Sequence, residues 1–395
     1  MRVLYINNSG FFGGAQKSLL ELLKISGKSI SKFIITSDGI FSSILRKNNI
    51  KNIVSGIGIS CFDNTQYSYY RGFRWFILLR EIFYLPFTFT ALLKAKKKWK
   101  KFSIIHINGI SLIPSIFISK KLFKCPVIVH VRDVQRPWTD LRGKFLLYFY
   151  KKNVEKFIAI DSTVKKSMHP LLPVKVIHNG IFIKSKKVCR KKPIHNKIFN
   201  VGMVGSLLKS KGCLDFLEAA KICLEKNVNI NFIFFGSSIR KKNIILDCFL
   251  SMFKIYENIE YELKLKINEY GIQNNVKFIP FTDNLNNIYS NLDLLCFPSH
   301  LNAPGRPIFE AASYGVPSIV SIKKSTTDTI INNKTGKIIE KFNFQQLARE
   351  ILDYYYDRKK LYLHGNNAKI LANRNNNIKK NYKHIVSLYK SVILK

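Results

Sequence analysis

The chain has 395 residues, more than one hydrophobic core organises, because single cores stop growing near roughly 250 to 300 residues and an ordinary domain runs about 100 to 200. At 47% hydrophobic, 13% aromatic and 23% charged it has ample apolar material for a core, which excludes intrinsic disorder and fibrous repeats. Its 65 Lys and Arg against 24 Asp and Glu leave a formal charge of +41, attractive to nucleic acid, a phosphorylated substrate or an acidic lipid surface. Charge alone does not choose among these, and part of the lysine decorates solvated faces.

The N-terminus is apolar from Val3 to Ile6 and turns polar at Asn7-Asn8-Ser9-Gly10, too short for a signal peptide, so nothing there is expected to direct export. The cysteines, Cys61, Cys125, Cys189, Cys213, Cys223, Cys248 and Cys296, are scattered and never in C-x-x-C spacing. Neither a disulfide framework nor a zinc site follows, and a reducing cytoplasm fits best.

Short β-branched runs alternate with helical patterns: Val3 to Ile6, helix Gln16 to Leu23, then Lys32 to Thr36, Ile104 to Ile107, Val127 to Val131, Phe157 to Ile160 and Val174 to Ile177. Such alternation predicts β-α-β units and a parallel sheet. The basic stretch 184–197 has no apolar period and reads as a linker. The pattern restarts with Phe199 to Val204, a helix over Cys213 to Leu224, then Ile230 to Phe235, Val276 to Ile279, Leu292 to Phe297 and Pro317 to Ser321. Between Lys241 and Tyr270 lies a charged helical insertion, and from Phe344 the chain is helical and Lys/Asn-rich. Two segments approach membrane-span length, Ile82 to Leu93 with Pro86, and Ser103 to Ser119 with His106, Asn108, Gly109 and Pro114. Both fall short of about 20 apolar residues, so no transmembrane helix is predicted.

In open parallel sheets ligands bind beyond the carboxyl ends of strands, and the informative residues cluster in those loops. Gly13 and Gly14 follow the first strand and open a helix, where free amides meet an anion; a plain structural turn is the alternative. His130 ends the Val127 to Val131 strand, where it can titrate near neutral pH and be oriented by Asp133. His106 is similarly placed and reads more simply as a structural hydrogen-bonder. Gly205 lets the chain leave a strand, and Lys211 precedes a helix as a cation suited to a diphosphate. Gly305 and Arg306 precede another helix with Pro307 in its first turn, and Glu310 one turn in can accept from vicinal ribose hydroxyls.

With Gly13-Gly14, the His130 strand end, Val176-Ile177-His178-Asn179-Gly180-Ile181, Gly205 with Lys211-Gly212, the Asn284 to Asp293 helix before Pro298-Ser299, and the Gly305-Arg306 to Pro317 run, the chain resembles a GT-B glycosyltransferase of the large retaining family 4 (group 1). The resemblance implies two doubly wound Rossmann-like α/β domains facing across a cleft. Residues 1–183 would bind acceptor and 198–377 the nucleotide sugar, with a last helix at about 378–395 packing back on the first domain. The donor would be a UDP- or GDP-linked sugar, the acceptor a glycan or lipid-linked glycan, and the configuration retained. Lys211 and the Gly305-Arg306 amides would stabilise the diphosphate, Glu310 the ribose, and His130 the donor sugar. Gly13, Gly14, Gly205, Ser206, Lys209, Ser299, Asn302 and Pro307 would line the donor, with His106, Asn108, Arg132, Asp133 and Asn179 toward the acceptor or behind the site.

Two positions depart from that pattern. Ser206 stands where the family has arginine, and Asn302 where it has an acid eight positions before Glu310; Lys209 or Arg306 would then substitute as cation, and sugar choice would change. No D-x-D pair is present, which agrees with metal-free chemistry. The stretch 71–101 interleaves Trp75, Phe76, Phe83 and Phe89 with Lys94, Lys97 and Lys98, and suits a helix lying on an anionic membrane at its inner, cytoplasmic face; the other reading is a core helix with a solvated lysine tail. A noncatalytic paralogue and a nucleic-acid-binding protein are the alternatives, the latter disfavoured because no helix-turn-helix, zinc-finger or RNP signature accompanies the charge.

Overall fold

The computed structural model describes residues 1–27, 29–63, 65–66, 75–182, 198–236, 259–280, 282, 284–301, 305–322 and 327–394. The proposed linker at 184–197, Asn302 and the first half of the charged insertion lie outside them. The chain divides into two compact units, Met1–Ile183 with Asn375–Lys395, and Lys184–Arg374.

Unit 1 is built on strands β1 (Arg2–Ile6), β2 (Ser31–Ser37), β3 (Lys51–Ser55), β4 (Ile104–Ile107), β5 (Val127–Val131), β6 (Lys156–Ala159) and β7 (Val174–Val176), all parallel in the order β3-β2-β1-β4-β5-β6-β7. β4 and β5 are buried along their whole length, as parallel strands covered on both faces must be. Successive side chains alternate between two cores. Leu4 and Ile6 pack with α4 (Leu85–Trp99), which α3 (Phe76–Phe83) precedes, and with α5 (Ile113–Phe123), α6 (Leu141–Asn153) and α7 (Ser162–Ser167), whereas Val3 and Tyr5 meet α1 (Gly14–Ile25) and α2 (Ile40–Lys47).

Unit 2 has strands β8 (Phe199–Val204), β9 (Ile230–Phe235), β10 (Val276–Ile279), β11 (Leu294–Phe297), β12 (Ser318–Val320) and β13 (Gly336–Ile338), parallel in the order β10-β9-β8-β11-β12-β13. Its helices are α8 (Cys213–Leu224), α9 (Ile259–Glu269), α10 (Leu285–Tyr289), α11 (Arg306–Ser313), α12 (Phe344–Tyr356) and α13 (Arg358–Asn375). The final helix, α14 (Ile378–Ile393), returns to unit 1, where Ile385, Leu388, Tyr389 and Val392 complete the core beneath α1.

Each sheet has one place where strand order reverses: between β1 and β4 in unit 1, and between β8 and β11 in unit 2. Loops diverge there and leave a crevice at the carboxyl ends.

One expectation changes. Across Tyr84, α3 runs into α4 with Pro86 in the first turn, where its missing N–H costs nothing. Phe76–Trp99 is therefore a 24-residue helical stretch long and apolar enough, by length and composition, to cross a membrane. Its inner side is nevertheless part of the unit 1 core, through Ala91, Leu92, Ala95 and Trp99.

Candidate functional site

In unit 1 the crevice is floored by a chain of side-chain hydrogen bonds. Asn7, just past β1, accepts at Oδ1 from Gln16 Nε2 (3.2 Å) and from Asn108 Nδ2 (2.9 Å). Arg132 Nε donates to Asn108 Oδ1 at 2.7 Å and its Nη1 to Asn179 Oδ1 at 2.9 Å. Asn376 Nδ2 then donates to the Asn179 carbonyl at 2.9 Å, so the segment preceding α14 is tied to the end of the chain of bonds. Asn108, Arg132 and Asn179 therefore belong to one network across β1, β4, β5 and β7. The sequence pointed to those three but not to Asn7 or Gln16, which look like ordinary turn and helix residues until sheet order sets them together. Gly13 caps α1 and donates its N–H to Gln16 Oε1 at 3.3 Å, with Gly14 the first helical residue.

His130 is buried, and neither ring nitrogen has a hydrogen-bond partner in the protein. The expectation that Asp133 orients it is not met: β5 ends at Val131, Asp133 sits in the bend beyond it, and no hydrogen bond joins it to either His130 nitrogen. Nor does His130 titrate near neutrality. Burial, then the Arg132 guanidinium, then His106 hold its pKa well below 6.5. His106 is pushed down to about 3 by burial and by Arg132. Its Nδ1 pairs with the Tyr389 hydroxyl at 2.5 Å, and its ring lies 5.4 Å from that of His130. Both imidazoles are neutral, so each has one donor and one acceptor nitrogen.

In unit 2 the loops after β8 and β11 are locked together. Gly205 leaves β8 at φ 142°, and Gly212, at φ 77°, caps α8 so close to β11's exit that a Cβ would sit 2.0 Å from the Pro298 carbonyl oxygen. His300 N–H donates to Ser210 O at 3.0 Å, its Nε2 lies 2.7 Å from Asp215 Oδ2, and Ser299 Oγ donates to Ser210 O at 3.4 Å. Lys209 and Lys211 stand on the intervening 3-10 turn, with Lys209 Nζ 3.3 Å from Glu262 of α9 and Lys211 Nζ 5.6 Å above the Phe297 ring. Ser206 is half-buried beside Gly205.

Gly305 caps α11 without a side-chain bond, leaving first-turn amides for an anion. A Cβ there would meet the Phe297 ring at 2.3 Å, so only glycine brings this backbone against β11. Arg306 and Pro307 begin the helix. Glu310 is buried with Arg306 Nε at 2.6 Å on Oε1 and the Tyr289 hydroxyl donating to Oε2 at 3.0 Å. A carboxylate is acceptor-only, the chemistry that a pair of ribose hydroxyls requires. Sequence spacing showed the one-turn Arg306 to Glu310 separation but gave no sign of Tyr289, an apolar-face residue of α10.

Residues 185–371 match the family described as glycosyl transferases group 1. The fold is GT-B, and this segment is a group 1 glycosyltransferase domain. The glycosyltransferase domain coincides with nearly all of unit 2. The whole chain is similar to the crystal structure of Anabaena Alr3699/HepE in complex with UDP, at TM-score 0.74 and 20% identity, over 99% of this chain and 100% of the other. It is similar to a Rickettsia africae glycosyltransferase at TM-score 0.72 and 18% identity, over 100% and 98%. Among curated proteins, Staphylococcus aureus capsular polysaccharide biosynthesis glycosyltransferase CapM is 28% identical over 40% of this chain and 36% of its own. An Escherichia coli UDP-Gal:alpha-D-GlcNAc-diphosphoundecaprenol alpha-1,3-galactosyltransferase is 24% identical over 63% and 65%. The chain thus spans less than two thirds of these curated relatives.

Proposed function

We propose that the chain is a retaining, metal-independent hexosyltransferase that moves a sugar from a nucleotide diphosphate donor to a glycan or lipid-linked glycan in surface polysaccharide assembly. The observation carrying this reading is the convergence, at unit 2's strand-order reversal, of the Gly205 turn, Lys211, the uncapped α11 start and Glu310. When a glycosyl–diphosphate bond breaks, negative charge grows on the departing phosphate. Preorganised amides and a cation meet that charge without reorganising, which is where such a site gains most of its rate. Glu310 holds the ribose, and Lys211 with the Gly305-Arg306 amides the diphosphate; His130, neutral and with its nitrogens uncommitted, is assigned to the donor sugar.

The relatives support the substrate class: one is named for capsular polysaccharide, another for a sugar on diphosphoundecaprenol, and a structural neighbour was captured with UDP. A lipid-linked acceptor places the enzyme at the inner membrane face, with the 71–101 segment as its contact. A thermal-shift panel of UDP, GDP and ADP sugars tests the reading, because stabilisation grows with ligand excess over its dissociation constant. One nucleotide class should raise the melting temperature in a concentration-dependent way. A flat response to all three, with no turnover on polyprenyl-linked acceptors, would overturn it.

A further inference from the structure

We infer that the membrane contact is a plate formed by the outer face of the α3–α6 layer of unit 1, with α6 as a second lipid-facing helix beside α3–α4. This rests on the peripheral-membrane reading above and adds a surface the sequence did not reveal.

The four helices are strongly one-sided in charge. α3 carries one Lys or Arg, α4 four, α5 two and α6 four. Their single acid, Glu81, is buried and accepts the Cys61 N–H and the Arg80 guanidinium. Basicity alone does not single out this layer, since α14 on the other face has four lysines and no acid. Exposed apolar surface does. Phe76, Leu79, Ile82, Phe83, Phe89 and Leu93 are all exposed on α3–α4, whereas the helices of the opposite layer expose only Ile40 and the chain-end Ile393 among large hydrophobics.

α6 repeats the pattern independently. Leu141, Phe145 and Tyr148 are 85%, 63% and 64% exposed, and at about 100° per residue they fall within an arc of roughly 60°. Lys144 and Lys151 flank that stripe on one side, and Lys152 lies over the Tyr148 ring at 5.9 Å. Between the two, α5 exposes Phe117, which packs on Phe149 of α6 and lies under the Lys121 ammonium at 4.4 Å. Aromatic stripes flanked by lysine fit an interface of acyl chains and anionic headgroups.

The same contacts say how the layer sits. For Phe76–Trp99 to cross a bilayer, Ala91, Leu92, Ala95 and Trp99 would have to leave the core and Thr88 release the Ser60 N–H it holds at 2.8 Å. Lying flat leaves all of these in place and turns the exposed stripe to lipid.

Vesicle flotation tests the plate, using phosphatidylcholine with and without about a quarter phosphatidylglycerol. Each lysine near an anionic surface multiplies partition about fivefold, so the α6 variant Lys144→Glu/Lys151→Glu/Lys152→Glu should bind anionic vesicles at least about a hundredfold more weakly. Lys94→Glu/Lys97→Glu/Lys98→Glu on α4 should do the same, and Phe145→Ser/Tyr148→Ser should weaken binding even at low salt. A matched reversal in unit 2, Lys226→Glu/Lys277→Glu/Lys359→Glu, should have a much smaller effect. Circular dichroism checks that each variant is folded. If the α6 variants partition like the parent while the α4 variant is lost, the plate is wrong and the single-helix contact stands. If the parent ignores anionic vesicles, both fail. If sedimentation instead shows a dimer that the α6 variants dissociate, the face belongs to a second copy and the inference is overturned.

Discussion

Arg306 Nε donates to Glu310 Oε1 at 2.6 Å, one helical turn away, and both side chains are almost sealed from solvent. Removing one partner of a buried ion pair leaves the other charged without compensation, which costs about 3 to 5 kcal/mol. Arg306→Ala is therefore expected to lower unfolding stability by that amount, and Tyr289→Phe by about 1 to 3 kcal/mol through the lost bond to Oε2. The double variant Arg306→Ala/Glu310→Ala should cost clearly less than the two singles together. Urea unfolding in a double-mutant cycle measures this; additivity within about 0.5 kcal/mol would show that the pair is not coupled.

Acid should destabilise unit 1 through its histidines. In the folded chain burial and Arg132 hold His130 well below its ordinary 6.5 and His106 at about 3, so between those limits the unfolded chain binds more protons. Stability is then highest above pH 6.5 and falls as pH drops from there toward 3, by up to about 1.4 kcal/mol per unit for each histidine. Urea midpoints at pH 7 and 5 should differ accordingly, and His130→Phe should flatten the slope by about half. An unchanged slope in that variant would mean that His130 is protonated in the folded state.

Arg132 is the residue that couples this electrostatics to the polar network. Arg132→Met keeps much of the volume but takes donors from Asn108 and Asn179 and the positive charge from beside both imidazoles. The expected cost is about 2 to 4 kcal/mol, from buried acceptors left unsatisfied. The histidine titrations followed by NMR should move upward toward ordinary values. A stability loss with no movement of either titration would assign Arg132 a packing role alone.

The tandem parallel sheets were legible because β1, β4, β5, β8, β9 and β11 are apolar runs covered on both faces. β3 and β13 were not, since each is an edge strand with partly exposed or very short sequence, Lys51–Ser55 and Gly336–Ile338. The glycines and charges of the unit 2 loops announce themselves locally. The polar chain through Asn7, and Tyr389 under His106, depend on partners that only strand order and the returning last helix supply. The run Ile82 to Leu93 misled in the other direction: counted between its flanking charges it is too short to span, but Pro86 occupies the first turn of α4, which tolerates it, and the helical stretch extends over Phe76–Trp99.

Gly212 offers a backbone test of the same loops. At φ 77° a side chain is already disfavoured, and a Cβ would overlap the Pro298 carbonyl oxygen at 2.0 Å. Gly212→Ala must push the β8 and β11 exits apart, costing about 2 kcal/mol or more and displacing Lys211 from its place over the Phe297 ring. Loss of nucleotide-induced stabilisation should exceed what the fall in melting temperature alone explains. A variant that binds nucleotide normally would show that the two loops need not meet.

Lys211 separates diphosphate recognition from nucleoside recognition. It stands on the turn before α8, over the Phe297 ring, with the N-cap of that helix, Gly212, immediately after it. A lysine bonded to a phosphoryl oxygen contributes about 1.5 to 3 kcal/mol, roughly 10- to 150-fold in affinity. Lys211→Met should weaken a nucleoside diphosphate by that factor in calorimetric titration while changing the matching monophosphate little, because only the outer phosphate loses its cation. Raising salt should narrow the gap between parent and variant for the diphosphate. An equal loss for both nucleotides would place Lys211 near the nucleoside or in the fold itself, and the leaving-group role would have to pass to Arg306.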